Sequence, residues 1–237
     1  MKLLILLIAL GCAECTLIEW TAADYFNPWT DPASCGRRPG RPSYVCDPNG
    51  VISVEAADFL DHILLNFQNA TQCPCSTKNC EDRDHSKGYL MAIALVRKLK
   101  RPANVPDTGD ATMQLAQRFT YDLLRKHWAW GTCDELTVIF YSKEDHILMT
   151  ATGRTANRKL TDHVTTYIQR ELARFFQPGG NVGQGLHYLT INYRHVLDNY
   201  DYAPVLYADA KVDSAATMVT ISMTTSILTS LLLRYFC

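Results

Sequence analysis

The spacing of apolar residues changes within residues 135–172, and this change organises the predicted fold. Two runs of β-branched and aromatic residues, 136–141 and 146–152, are separated by the polar residues 142–145, which predicts a β-hairpin. After Gly153 the apolar residues recur along one face of a helix, and they are Leu160, Val164, Ile168, Leu172 and Phe175. A strand pair followed by a helix that ends near Phe176 requires a sheet with helices packed on it.

The segments on either side supply one more strand and three more helices. Residues 89–96 form a continuous apolar run, which predicts a central strand covered on both faces. Ser53 is a good N-cap for a helix that ends near Asn69, and apolar periodicity predicts further helices at about 111–127 and from 186 to about 197. The predicted fold class is therefore α/β, a single domain with a small mixed sheet sandwiched by helices.

Three stretches between these elements are irregular or ambiguous. Residues 20–50 contain so many prolines and glycines that we expect no regular structure there. The glycine-rich residues 177–185 lack the Lys-Ser/Thr pair that follows a phosphate-binding loop. A turn between two helices is therefore the better interpretation. Trp128 and Trp130 lie at the join of helix and strand, where core packing is the better interpretation and an exposed recognition ledge is the alternative.

The two ends of the chain are apolar and are predicted to lie outside the domain. Residues 1–15 resemble a secretory signal peptide, cleaved between Gly11 and Cys15, with a lipoprotein signal on Cys12 as the alternative. Residues 215–233 carry no charge, which fits a transmembrane helix, a GPI signal or, less well, a buried core helix. We therefore expect a domain that faces the outside of a cell membrane.

These features give a predicted domain organisation in five parts. The order is a signal peptide at 1–15, a disulfide-tied segment at 16–52, the α/β domain at 53–200, a tether at 201–214 and an anchor at 215–237.

An exported chain predicts oxidised cysteines. Six cysteines remain after signal removal once Cys237 is set aside, and they are Cys35, Cys46, Cys73, Cys75, Cys80 and Cys133. A bridge between Cys35 and Cys46 would tie down the irregular segment. Cys133 must then pair with one of the three remaining cysteines, and the sequence leaves open which one. Zinc bound by this cluster with His85 is the less favoured alternative. Asn69 lies in the only N-glycosylation sequon of the chain.

Charge and motifs narrow the possible functions further. With a net charge of −1, the chain lacks the excess of positive charge that is typical of proteins that bind nucleic acid. The chain contains no GxSxG, HExxH, EF-hand or Walker motif. Acidic residues at 81–84 and at 144–145 could hold a cation, although solvated turns carry such residues routinely. We therefore predict no catalytic residue, no metal ligand and no cofactor.

Two groups of segments carry a resemblance to known families. The hairpin and helix VIFYSKEDHILMTATGR…LTDHVTTYIQREL, followed by FFQPGGNVGQGLHYL, are similar to the TPM domain. WTAADYFNPWTDPASCGR, VCDPNG and the CPC cluster resemble the nematode modulator of levamisole receptor proteins. The resemblance covers residues 20–200 approximately.

The resemblance implies a function as well as a fold. It implies an extracellular α/β domain on a membrane anchor, acting as an auxiliary subunit that raises the gating response of a muscle acetylcholine receptor channel. Other TPM domains are associated with acid phosphatase activity and calcium binding, so a phosphatase-like hydrolase with a bound divalent cation is the alternative. A general adhesion module at the cell surface is a third possibility.

Overall fold

The computed structural model describes residues 19–76 and 88–198, which belong to one compact unit. The strands are β1 (Glu19–Trp20), β2 (Val45–Cys46), β3 (Leu90–Val96), β4 (Lys98–Leu99), β5 (Leu136–Ser142) and β6 (Ile147–Thr152). The helices are α1 (Val54–Ala70), α2 (Gly109–Asp122), α3 (Arg154–Asn157), α4 (Asp162–Glu171) and α5 (Val182–Leu197). A π-helical turn (Leu123–His127) follows α2, and a 3-10 turn (Ala173–Phe176) precedes α5.

The main sheet is mixed, as the sequence predicts. Its strand order is β2-β3-β5-β6, with β2, β3 and β5 parallel and β6 antiparallel to β5. Every residue of β3 and β5 is buried, so both faces of the centre of the sheet are covered. The prediction of a central strand from the apolar run at 89–96 is confirmed, and so is a domain that combines a mixed sheet with helices.

Helix starts follow the capping residues. The side chains of Ser53, Thr108, Thr161 and Asn181 each accept a backbone N–H in the first turn of the helix that follows. The cap at Thr161 corrects one prediction. We expected a helix that ends near Phe176, but the extended backbone of Thr161 separates α3 from α4, and a 3-10 turn follows α4.

The N-terminal segment is more ordered than its proline and glycine content predicts. β1 pairs with β4 in a separate small sheet, and β2 adds to the edge of the main sheet beside β3. The buried Tyr25 hydroxyl donates to the Cys46 carbonyl oxygen at 2.8 Å and accepts from the Leu95 N–H at 3.0 Å. Burial raises the pKa of Tyr25 well above its ordinary value. The prediction that residues 20–50 lack regular structure is therefore wrong at two short strands.

Disulfides tie this segment and the loop before β5 to the core. Cys35 is joined to Cys46, the pairing expected from their spacing. Cys133 is joined to Cys75, which resolves the choice that the sequence left open. Cys73 is also disulfide-bonded, and Cys80 lies outside the described residues.

Several predictions concern residues that the structure does not describe. These are the signal peptide at 1–15, the acidic residues at 81–84 with His85, the tether at 201–214 and the anchor at 215–237. Across 19–76 and 88–198, no helix combines the length and the apolar character needed to cross a membrane.

Candidate functional site

A concave surface lies between the N-terminal segment and α1. It is a cavity of about 470 Å³, and we call it the Trp29 pocket. Its lining comes from the N-terminal segment (Trp29, Arg37, Arg38, Arg41, Pro42, Ser43 and Tyr44) and from α1 (Asp58, Asp61, His62 and Leu65). The Cys35–Cys46 disulfide and the Tyr25 hydroxyl hold the first group in place.

Arg37 forms the base of the pocket and joins the two sides. Its side chain is only 5% exposed, and its guanidinium donates to Asp58 and, at 2.8 Å, to Asp61. Asp61 also accepts from the Ser43 hydroxyl and, at 2.8 Å, from the Tyr44 backbone N–H. A buried charge of this kind is stable only when its partner remains ionised and bonded. The pair therefore fixes residues 37–44 against α1.

Tyr44 supplies a neutral aromatic wall. Its hydroxyl donates to Gln68, which is buried in α1. Burial and the nearby charge of Asp61 raise the pKa of Tyr44 to about 12. The phenol therefore stays protonated across the physiological pH range.

Trp29 gives the pocket its exposed apolar edge. The indole is 38% exposed and packs edge-on against Tyr44, with ring centroids 5.5 Å apart. Trp130 contacts both of these rings, with its centroid 5.8 Å from that of Trp29 and 6.2 Å from that of Tyr44, and it stacks on Trp128 at 5.3 Å. Trp29 was missed from sequence because nothing in a proline-rich segment marks one tryptophan as exposed.

Trp128 and Trp130, the two tryptophans at the join of helix and strand, have different environments. Trp128 is 3% exposed and its Nε1 donates to the Phe26 carbonyl oxygen at 3.0 Å, so it belongs to the core as predicted. Trp130 is half-buried and connects the core to Trp29. Trp29 therefore forms the most exposed edge of this cluster of rings, while Trp130 is half-buried and Trp128 is buried.

The pocket is suited to recognition. Its two carboxylates face the Arg37 guanidinium, which leaves them poor ligands for a cation. Arg38 and Arg41 are exposed at the rim, next to the aromatic edge. Tryptophan and arginine, which are exposed here, are among the residues that dominate binding energy at protein interfaces.

The other candidate cation sites have structural roles in the described residues. Glu144 pairs with Arg97 at 2.6 Å, and Asp145 accepts from the Leu99 backbone N–H at 2.9 Å, so both acids fasten the β5–β6 turn. Cys75, Cys133 and Glu135 lie close together, but the two sulfurs are bonded to each other and offer no thiolate. The zinc alternative is therefore excluded for Cys75.

The sequon residue Asn69 lies exposed in the last turn of α1. Thr71 of the same sequon is buried, and its hydroxyl donates to the Phe67 carbonyl oxygen at 3.0 Å and accepts from the Tyr89 N–H at 2.9 Å. A glycan on Asn69 stays a prediction.

Fold and pocket together define a disulfide-tied α/β domain with a rigid pocket edged by an exposed tryptophan and exposed arginines. The sequence model of the family described as modulator of levamisole receptor-1 matches residues 20–146, which is just over half of the chain. The chain belongs to this family. The match includes every residue of the Trp29 pocket and both described disulfides.

Two further comparisons add little about function. No curated protein matches the chain. Among solved structures, the chain is similar to the N-terminal domain of a protein from P. gingivalis, determined by solution NMR. The two are 14% identical with a TM-score of 0.46, and the alignment covers 76% of this chain and 93% of that one.

Proposed function

We propose that this chain is a membrane-anchored extracellular protein that raises the response of a levamisole-sensitive, acetylcholine-gated cation channel. The observation that carries the proposal is the family match over residues 20–146. The role is that of a non-enzymatic auxiliary subunit. Disulfides at Cys35–Cys46 and Cys75–Cys133 support an oxidising compartment, since such bonds persist in secreted and extracellular proteins.

The Trp29 pocket is the proposed contact surface for the receptor. Trp29 offers a partly exposed indole beside the exposed Arg38, while Arg37 and Asp61 keep the base of the pocket rigid. A preformed surface loses little conformational entropy when it binds. An extracellular loop of the channel that carries an apolar side chain and an acidic side chain fits this arrangement.

The energy that modulation needs is small. A modulator must bind the open channel more tightly than the closed one, and a tenfold shift of that equilibrium takes about 1.4 kcal/mol. Truncation of one hot-spot tryptophan at an interface typically costs about 2 kcal/mol or more. One well-placed indole can therefore account for the whole effect when its contact forms in the open channel and is absent from the closed one.

The test of the contact surface is co-purification of the receptor with the full-length chain from cells that express both. Trp29→Ala should lower the amount of receptor recovered by about tenfold or more, because it removes the exposed indole. Tyr167→Ala is the matched control, since Tyr167 is 41% exposed, close to the 38% of Trp29, and lies outside the family match. Equal recovery with both variants would place the receptor contact elsewhere.

A further inference from the structure

We infer that a second cavity binds a tetrahedral oxyanion of the phosphate or sulfate class. The cavity has a volume of about 460 Å³ and lies where β5 begins and β6 ends. We call it the Arg154 cavity. The inference goes beyond the proposed function and does not depend on it, because none of the residues that line the Arg154 cavity belongs to the Trp29 pocket.

The charges that line the Arg154 cavity are mostly positive. Among its described residues are three arginines, Arg125, Arg154 and Arg158, and one acid, Asp134. Asp134 pairs with Arg125 at 2.8 Å, while its nearest approach to Arg154 is 3.9 Å. Arg154 is 80% exposed and Arg158 is also exposed, so their guanidinium groups can turn towards a ligand. The excess positive charge favours an anion over a cation.

The wall that carries Asp134 is rigid before any ligand binds. The buried Glu135 carboxylate accepts the backbone N–H groups of Thr132 and Cys133, each at 2.8 Å. The Thr155 hydroxyl donates to the Cys133 carbonyl oxygen, and Cys133 is joined to Cys75. One wall of the cavity is therefore already ordered, which lowers the entropic cost of binding a ligand against it.

Hydrogen-bond donors next to the cavity lack acceptors. Arg125 Nε and Trp130 Nε1 are buried without a hydrogen-bond partner in the described part of the chain, and both residues line the cavity. Buried donors in native proteins are almost always paired, so an acceptor is expected nearby. An oxygen-rich anion would supply acceptors once these side chains turn towards the cavity.

The number and type of the basic groups indicate the ligand class. A guanidinium binds two oxygens of phosphate, sulfate or carboxylate with parallel hydrogen bonds. The arginines come from two separate segments, Arg125 after α2 and Arg154 with Arg158 around α3. A tetrahedral group presents oxygens to both, whereas a planar carboxylate presents two oxygens in a single plane.

Isothermal titration of the full-length chain at constant ionic strength tests the inference. The probes are inorganic phosphate, inorganic sulfate and glycerol phosphate, with acetate as the planar comparison. We expect saturable binding of at least one tetrahedral probe, and tighter binding than for acetate. Tighter binding of glycerol phosphate than of inorganic phosphate would identify an esterified group as the source, and the reverse order would identify a free ion.

The Arg154→Gln/Arg158→Gln double variant should weaken this binding by about tenfold or more, since both guanidiniums are removed. Arg118→Gln/Arg170→Gln removes the same charge from exposed positions outside the cavity and should bind as the wild type does. The inference is overturned if no tetrahedral probe binds saturably, if acetate binds as tightly, or if the two double variants weaken binding equally.

Discussion

At the scale of single residues, Asp61 connects more of this molecule than its place in the sequence suggests. It accepts hydrogen bonds from Arg37, Ser43 and the Tyr44 backbone, and so joins α1 to a segment 17 to 24 residues away. Its apolar neighbours in α1 mark a helix face, but no local pattern indicates which acid pairs with Arg37. This contact depends on tertiary structure alone.

Asp61→Asn should lower the free energy of unfolding by about 2 to 3 kcal/mol, because it leaves the buried Arg37 guanidinium with one carboxylate partner. Asp58→Asn is the matched control and should cost less than about 1 kcal/mol, since Asp58 is 42% exposed and its ion pairs are partly screened by solvent. Urea unfolding followed by tryptophan fluorescence measures both. Equal losses would show that Asp61 is not the main partner of Arg37.

His187 gives the stability a predictable dependence on pH. It packs against Phe59 at 5.0 Å, and burial lowers its pKa below the ordinary value of 6.5. The folded state therefore resists protonation of His187 more than the unfolded state does. The contribution of this residue to stability is complete above the ordinary pKa and is lost as the pH falls through 6.5 towards the lower folded pKa.

The comparison variant is His187→Gln, which cannot gain this charge. Between about pH 7 and about pH 5, the wild-type chain should lose more unfolding free energy than the variant does. Urea unfolding at several pH values measures the difference. A wild-type curve parallel to that of His187→Gln would contradict the argument.

At the scale of elements, the two described disulfides should differ in their effect on stability. Cys75–Cys133 spans 58 residues and Cys35–Cys46 spans 11. Loop-closure entropy predicts a loss of about 4 kcal/mol when the longer bridge is removed and about 3 kcal/mol when the shorter one is removed. Urea unfolding of Cys75→Ala/Cys133→Ala and of Cys35→Ala/Cys46→Ala measures both losses. A larger loss from the shorter bridge would contradict the entropic account.

The long elements were predictable because each has a strong local signal. The uniform apolar run of β3 and the capped, periodic α1 each need little tertiary information. The break before α4 was missed because the apolar period continues across Thr161, while capping by its hydroxyl decides the backbone. β1 and β2 are two residues long, too short for any periodicity, and exist only because a longer strand lies beside them.

The two cavities are even harder to predict from the sequence than the two short strands are. The Trp29 pocket combines residues 29–44 with residues 58–65, and the Arg154 cavity combines Arg125 with Arg154 and Arg158. These segments meet only in the tertiary structure, so composition and motifs do not reveal the cavities. The sequence did indicate the family, since several quoted motifs lie within the matched residues 20–146.

At the scale of the whole molecule, a disulfide-tied domain with a rigid aromatic and arginine surface fits the auxiliary subunit that we propose. The sheet, the Cys35–Cys46 bridge and the Arg37–Asp61 pair hold that surface in one arrangement. A rigid partner that prefers the open channel shifts gating through binding energy alone and performs no covalent chemistry. Export and membrane anchoring, predicted from the two ends of the chain, would bring the domain to the outer face of the channel.

The most direct test records agonist-evoked current from a levamisole-sensitive acetylcholine receptor, expressed with and without the full-length chain. The account predicts a larger current at low agonist concentration when the chain is present. It also predicts that Trp29→Ala removes most of this gain while Tyr167→Ala keeps it. Unchanged currents in cells that display the chain on their surface would contradict the central claim.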